Sequence, residues 1–301
     1  MHETVPERAR VFDRRLLRRR RARAVADTLA SGGGHDFLLR EIGDRLVDRL
    51  ADVTRRFPLA LDLGCRDGTL AGLLAGRGGV ETLLQCDVAA GSVERARSAG
   101  PVFVADEEML PVGAESLDLV LSNLALHWVN DLPGALAQIR AALKPDGLFL
   151  ASMFGAGTLA ELRSCLMEAE LAESGGASPR VSPFAGLRDA AGLLQRAGFA
   201  LPVADCDTIT VTYPDLFRLL ADLRGMGETN LLLERIKHPT RRAVFARAAA
   251  LYQERFAAPD GRLRATFQVL FLTGWAPHGS QQQPARRGSG QADLRDVLGD
   301  G

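Results

Sequence analysis

The stretch ALDLGCRDG, residues 60–68, decides the fold. A short apolar run enters Asp62, the glycines Gly64 and Gly68 follow, and the residues after them (70–75) have helical spacing. Glycines let a backbone turn sharply and approach a ligand, and the start of a helix offers free N–H groups. A tight strand-to-helix turn would explain the glycines by itself. The acid that ends the next apolar run, LLQCD, adds the missing half: Asp87 at the end of a second strand can accept both hydroxyls of a ribose. Arg66 stands where the usual pattern has its middle glycine. If that position needs positive φ, arginine costs on the order of 1 kcal/mol. At negative φ it would fit freely, and Arg66→Gly would then leave folding and affinity intact. Asp67 is placed to cap the following helix.

In a dinucleotide fold such a loop holds a pyrophosphate. Here the loop carries Asp62, and an acid suits a cationic ligand better, such as the amino group of a methionine moiety. Outward from the loop, strands are expected at 59–63, 82–86, 102–105, 117–122 and 148–152, with helices at 70–75, 92–99 and 133–143 between them. This alternation predicts a parallel sheet covered on both faces. Asp106 and Glu107 close the third strand, where a carboxylate can accept from an adenine amino group. Ser122 and Asn123 close the fourth, at the carboxyl ends of the strands where open α/β sheets bind ligands.

The flanks differ. An arginine-dense stretch, VFDRRLLRRRRARAVADTLASGGG, reads as a solvated helix lying over an acidic partner or the cofactor mouth, and 37–53 as an amphipathic helix. Beyond Met153 come helices at 159–173, 187–197, 216–223 and 241–256, strands at 208–212 and 266–273, and a polar tail at 278–301. The division expected is a basic helical extension (1–36), a main domain (37–277) with a lid insertion at about 214–257, and a flexible tail (278–301).

Composition narrows the class. The 301 residues are 47% hydrophobic and 25% charged with zero formal net charge, so no global field argues for nucleic acid or an anionic membrane. No apolar run approaches the ~18 residues of a membrane helix, and the start lacks a signal-peptide pattern. Cys65, Cys86, Cys165 and Cys206 form no CxxC pair and read as buried thiols in a reducing compartment. Arginine supplies nearly all the basic charge, with Lys144 and Lys237 as the lysines, which together with the abundant alanine points to a GC-rich bacterial genome; a cytoplasmic protein is expected. The five histidines make no HxD or HxE pair, so no iron facial triad has a local signature and no metal is expected.

The ordered segments LDLGCRDG, LLQCD, VADEEMLPV, LDLVLSNLALHWVNDL and ALKPDGLFLAS resemble the class I S-adenosylmethionine-dependent methyltransferase superfamily. That resemblance implies a Rossmann-like α/β fold with a seven-stranded sheet, its last strand antiparallel, and S-adenosylmethionine as cofactor. It places Asp62, Gly64 and Gly68 at the methionine end, Asp87 at the ribose, and Asp106 with Glu107 at the adenine. Over nearly the whole chain, VFDRRLLRRRRARA, RVSPFAGLRDAAGLLQRAGF, YPDLFRLLADLRGMGETN and TFQVLFLTGWAPHGSQQQPARRGS resemble the arginine-hydroxylating assembly factor of mitochondrial respiratory complex I and its alphaproteobacterial relatives. This family implies a protein substrate, an arginine of a complex I subunit, with peripheral membrane association through that partner.

SNLALHWVNDLP is shared with the malonyl carrier-protein O-methyltransferase of biotin synthesis, a second enzymatic alternative. A third is a non-catalytic assembly scaffold that retains the cofactor. The residues leave methyl transfer and hydroxylation open. Candidates on the substrate side are His127, Glu228 and Asn230, the last two beside Gly225 and Gly227 in a lid that could offer polar groups to a guanidinium. The alternatives are a surface histidine at His127 and a glycine-capped helix end with solvated Glu228. Arg180 is either a carboxylate clamp or a solvated loop residue.

Overall fold

The computed structural model describes residues 10–31, 34–282 and 288–289. Most of the 278–301 tail and the first nine residues therefore lie outside the described residues. The chain opens with α1 (Arg14–Ser31) and α2 (Phe37–Asp48), then alternates β1 (Leu59–Leu63), α3 (Thr69–Leu74), β2 (Thr82–Asp87), α4 (Ala90–Ala96), β3 (Val102–Val104), β4 (Leu117–Asn123), α5 (Leu132–Ala142) and β5 (Leu143–Phe154). The second half runs α6 (Ala160–Ser174), α7 (Leu187–Arg196), β6 (Ala200–Tyr213), α8 (Leu216–Gly225), α9 (Arg242–Phe256) and β7 (Leu263–Trp275).

The strands form one seven-stranded sheet in the order β3-β2-β1-β4-β5-β7-β6. β1 to β5 are parallel, while β7 runs antiparallel between β5 and β6. The inner strands are apolar on both faces because helices cover both. Leu38, Ile42, Leu46, Leu162, Leu219 and Val244 pack one side; Leu136, Ile139, Ala190 and Leu194 pack the other. The order reverses at β1, which has β2 on one side and β4 on the other. In such sheets the crevice at that switch point is where ligands bind.

Local chemistry sets the helix starts that aim the site. Asp131 accepts from the Gly134 N–H at 2.8 Å ahead of α5, and Asp215 accepts from the Arg218 N–H at 2.9 Å ahead of α8. Asp67 accepts from both the N–H and the hydroxyl of Thr69, as expected from its place before α3. The expected strand at 208–212 is far longer as β6. Asp205 and Asp207 hid its first half by breaking the apolar alternation; on this edge strand they pair with Arg49 and Arg45, which reach across from the α2 end. α1 does not stand apart as a solvated extension. It packs on α4 and α8, and Leu17 and Phe12 join a cluster with Val88, Trp128, Leu231 and Leu232.

Candidate cofactor and substrate site

β1 carries Asp62 to the mouth of the crevice, and the chain turns at Gly64 with φ of 81°. A Cβ there would lie 2.3 Å from the Ala125 Cβ, so the close approach of the turn after β4 demands glycine. Arg66 also lies in the left-handed region, with φ of 51°. The strain is offset by what its guanidinium reaches: the carbonyls of Met226 at 2.8 Å and Leu124 at 2.9 Å, and the carboxylate of Glu228. Arg66 is therefore no mere replacement for a glycine. It staples the loop to the end of β4 and to the segment after α8, partners far along the chain that no local pattern announces.

The acids expected at the cofactor converge. Asp87 is fully buried and accepts from the N–H groups of Ala89 at 2.8 Å and Arg66 at 3.2 Å. Glu107 is 1% exposed. Burial pushes its carboxyl up, yet the guanidinium groups of Arg14 and Arg21 hold it down at about 2. Asp106 accepts from Arg14 and from the Glu108 N–H. Arg21, on the arginine-dense helix expected to lie over an acidic partner or the cofactor mouth, is buried against these acids, and Arg14 meets them with its side chain 12% exposed.

Asp62 is the exception. It is 1% exposed and neither carboxylate oxygen has a hydrogen-bond partner. Burial first, then the neighbouring Asp87 and Asp67, push its carboxyl up to about 8. Buried polar groups are ordinarily satisfied, so an orphaned carboxylate at a loop of this kind fits a cationic ligand group such as the amine of S-adenosylmethionine. Ser92, which lines a small cavity beside the glycine loop, has an unpartnered buried hydroxyl that the sequence did not single out.

A raised carboxyl pKa makes the folded state harder to ionise than the unfolded one. The favourable contribution of Asp62 is complete below the unfolded value near 3.8 and is lost as pH rises through about 8. Asp62→Asn is expected to melt higher than the parent at pH 8, with the difference closing toward pH 4, and to lose S-adenosylhomocysteine binding. Differential scanning calorimetry across pH with titration calorimetry checks both; a parent that melts as high as the variant at pH 8 contradicts the strained carboxylate.

Ser122 and Asn123 do not face the cavity as expected. The Ser122 hydroxyl donates to the Leu63 carbonyl at 2.8 Å. Asn123 donates to the Leu39 carbonyl and accepts from the Ser152 hydroxyl at 2.7 Å. Both are buried and tie β4 to β1, α2 and β5, because a polar side chain at a sheet centre must find partners there.

On the substrate side, Glu228 is sealed rather than solvated. It accepts from the Trp128 indole at 2.9 Å, meets His127 Nε2 at 3.2 Å and pairs with Arg66. Burial raises its carboxyl, but Arg66 and His127 hold it at about 2. His127 is 4% exposed, packed among Trp128, Phe154 and Phe184, and burial lowers its pKa against the pull of Glu228. Thus it is no surface histidine. Asn230 is spent on structure, donating to the Pro179 carbonyl and accepting from the Leu232 N–H. Gly225 serves close packing, since a Cβ would lie 2.3 Å from the His35 ring, while Gly227 turns the chain at φ of 76°. Arg180 pairs with Glu170 and is neither free clamp nor solvated.

Two cavities meet at Phe154 and Glu228. One of about 60 Å³ lies by the glycine loop between Arg21, Arg66, Ser92 and Met226. The other, about 280 Å³, has an apolar wall that includes Leu162, Phe184, Phe245 and Phe267, with Arg20, Arg224 and Arg235 also lining it.

Comparison with known proteins agrees with this geometry. Residues 61–151 match the Methyltransferase domain family. The chain is 42% identical over 290 residues to the mitochondrial arginine-hydroxylase NDUFAF5 of Danio rerio, covering 95% of this chain and 89% of that protein. It is 35% identical over 276 residues to the malonyl-[acyl-carrier protein] O-methyltransferase of Xylella fastidiosa, covering 89% of each. Among solved structures, the YcgJ protein of Bacillus subtilis superposes with a TM-score of 0.54 at 15% identity, covering 78% of this chain and 98% of that one, a likeness of fold. Sheet order, the antiparallel β7, the acid-lined glycine loop and these relatives agree, and the chain belongs to the class I S-adenosylmethionine-dependent methyltransferase superfamily, in the branch of the arginine-hydroxylase NDUFAF5 proteins.

Proposed function

We propose that the protein is an S-adenosylmethionine-using enzyme that modifies an arginine on a polypeptide partner, a subunit of respiratory complex I, during assembly of that complex. One observation carries the reading: the 42% identity to an arginine hydroxylase runs over 95% of the chain. Asp62 would hold the cofactor amine, Asp87 the ribose, and Glu107 with Asp106 the adenine. When bound, the cofactor supplies an electrophilic methyl group, and methyl transfer asks of the protein chiefly alignment and exclusion of water. Glu228, fixed by Arg66, His127 and Trp128 where the two cavities meet, would orient the incoming group, while Phe154, Phe184 and Phe267 keep water out.

Among the described residues no helix is long and apolar enough to cross a membrane. We propose that the protein meets a membrane through its partner, at the cytoplasmic face of a bacterial membrane. One observation favours the second reading, O-methylation of a malonyl carrier protein: the larger cavity carries more arginine than acid, which suits a carboxylate.

Intact mass spectrometry of complex I subunits and carrier proteins, from cells with and without the gene, separates these readings. The expected result is a complex I subunit that gains an arginine modification only when the gene is present. An added oxygen identifies hydroxylation and an added methylene identifies methyl transfer. A methyl ester on the carrier protein, with unmodified complex I subunits, replaces the proposal by the second reading.

A further inference from the structure

The carboxylates assigned above to ribose and adenine are already occupied, and the occupants come from the chain itself. Arg21 Nη1 donates to Asp87 Oδ2 at 3.1 Å and to Glu107 Oε1 at 2.9 Å, with both acids buried and Arg21 itself 2% exposed. About two turns earlier on the same helix, Arg14 pairs with Asp106 and Glu107 and donates to the Trp128 carbonyl at 3.2 Å. The space left by the glycine loop, about 60 Å³, is well below the ~300 Å³ at which small-molecule pockets begin. Arg21 is also imperfectly satisfied: its Nε and Nη2 are buried without partners. Arg14 Nε is likewise without a hydrogen-bond partner.

From these contacts we infer that α1 is an intrasteric strap, with Arg21 and Arg14 standing in for the adenosyl group, which must displace them to bind. The inference rests on the cofactor site described above and adds its regulation. Arg21 Nη1 and a ribose both donate to the Asp87 carboxylate, whose two oxygens already accept from the Ala89 and Arg66 N–H groups, so the two cannot use it at once. The apparent affinity for cofactor is therefore the intrinsic affinity reduced by the fraction of molecules with the strap seated.

The strap also reaches the second cavity. Arg20, adjacent to Arg21, donates to the Thr229 hydroxyl and the Asn230 carbonyl at 2.6 Å each, and Phe12 packs edge-on against Trp128 at 5.3 Å. Expelling Arg21 thus disturbs the wall where a substrate would enter, so that cofactor loading and access to the larger cavity are linked.

The test compares S-adenosylhomocysteine binding to the full-length parent, Arg21→Ala and Arg21→Gln by titration calorimetry, with tryptophan emission recorded alongside. Arg21→Gln keeps the aliphatic stem and supplies a second variant should the alanine form fold poorly. The expected result is affinity at least tenfold tighter in the variants, a larger ligand-induced rise in melting temperature, and an emission change in the parent as Phe12 leaves Trp128. Equal or weaker binding by both variants overturns the strap, because Arg21 would then be neutral toward the cofactor or a ligand of it. Absence of binding in the parent and in both variants rejects the cofactor site itself, a different failure.

Discussion

Arg66→Gly is expected to lower the melting temperature by roughly 5–15 °C, despite restoring the residue that the loop's backbone conformation favours. Relief of positive φ returns on the order of 1 kcal/mol. Against that, the variant leaves Glu228, whose side chain is 5% exposed, without its guanidinium, and the carbonyls of Leu124 and Met226 without their donor. Breaking a buried ion pair by removing one partner costs about 3–5 kcal/mol. The balance is a loss of about 2–4 kcal/mol, and each kcal/mol moves the melting point of a chain this size by roughly 2–4 °C. Glu228→Gln in the same background removes the stranded charge and should recover most of the loss. Calorimetry of the parent, the single variant and the double variant decides. An unchanged melting point in Arg66→Gly would mean that the staple contributes nothing, as the sequence alone suggests.

Asp87→Ala should cost at least 100-fold in affinity for S-adenosylhomocysteine. A hydrogen bond to a charged group is worth about 1.5–3 kcal/mol, and a ribose presents two; each 1.4 kcal/mol is a factor of ten. The variant also unties part of α1, but Glu107 still holds Arg21, so the strap persists while the ribose loses its acceptor. The variant should melt lower as well, since the N–H groups of Ala89 and Arg66 lose the carboxylate that accepts them. Titration calorimetry at constant ionic strength measures this directly. Affinity within threefold of the parent would remove Asp87 from the cofactor site.

Much of the frame was legible because it is written in local patterns. The alternation of apolar runs with helical spacing sets five parallel strands, and short apolar runs bounded by glycine and acid mark where each strand ends. Gly64 and Asp87 are readable for the same reason: a turn that must approach another backbone needs glycine, and an acid at a strand end has one place to point. Ser122 and Asn123 sat at the right strand end yet misled, because which atoms partner a strand-end side chain depends on what lies beside the strand. Here that is Leu63, Leu39 and Ser152.

By itself, then, the sequence determined the sheet and the strand ends at which the crevice opens, both consequences of periodicity and residue chemistry within short windows. Tertiary structure alone decided the rest. It put Arg21 on Asp87 from 66 residues away and Glu228 on Arg66 from 162 residues away. It left Asp62 buried with no partner, and chose which arginines of the helix expected over the cofactor mouth meet which acids there. The physical reason is that these outcomes belong to pairs of charges, whose cost or benefit is fixed by shared burial, and burial exists only once distant segments have packed.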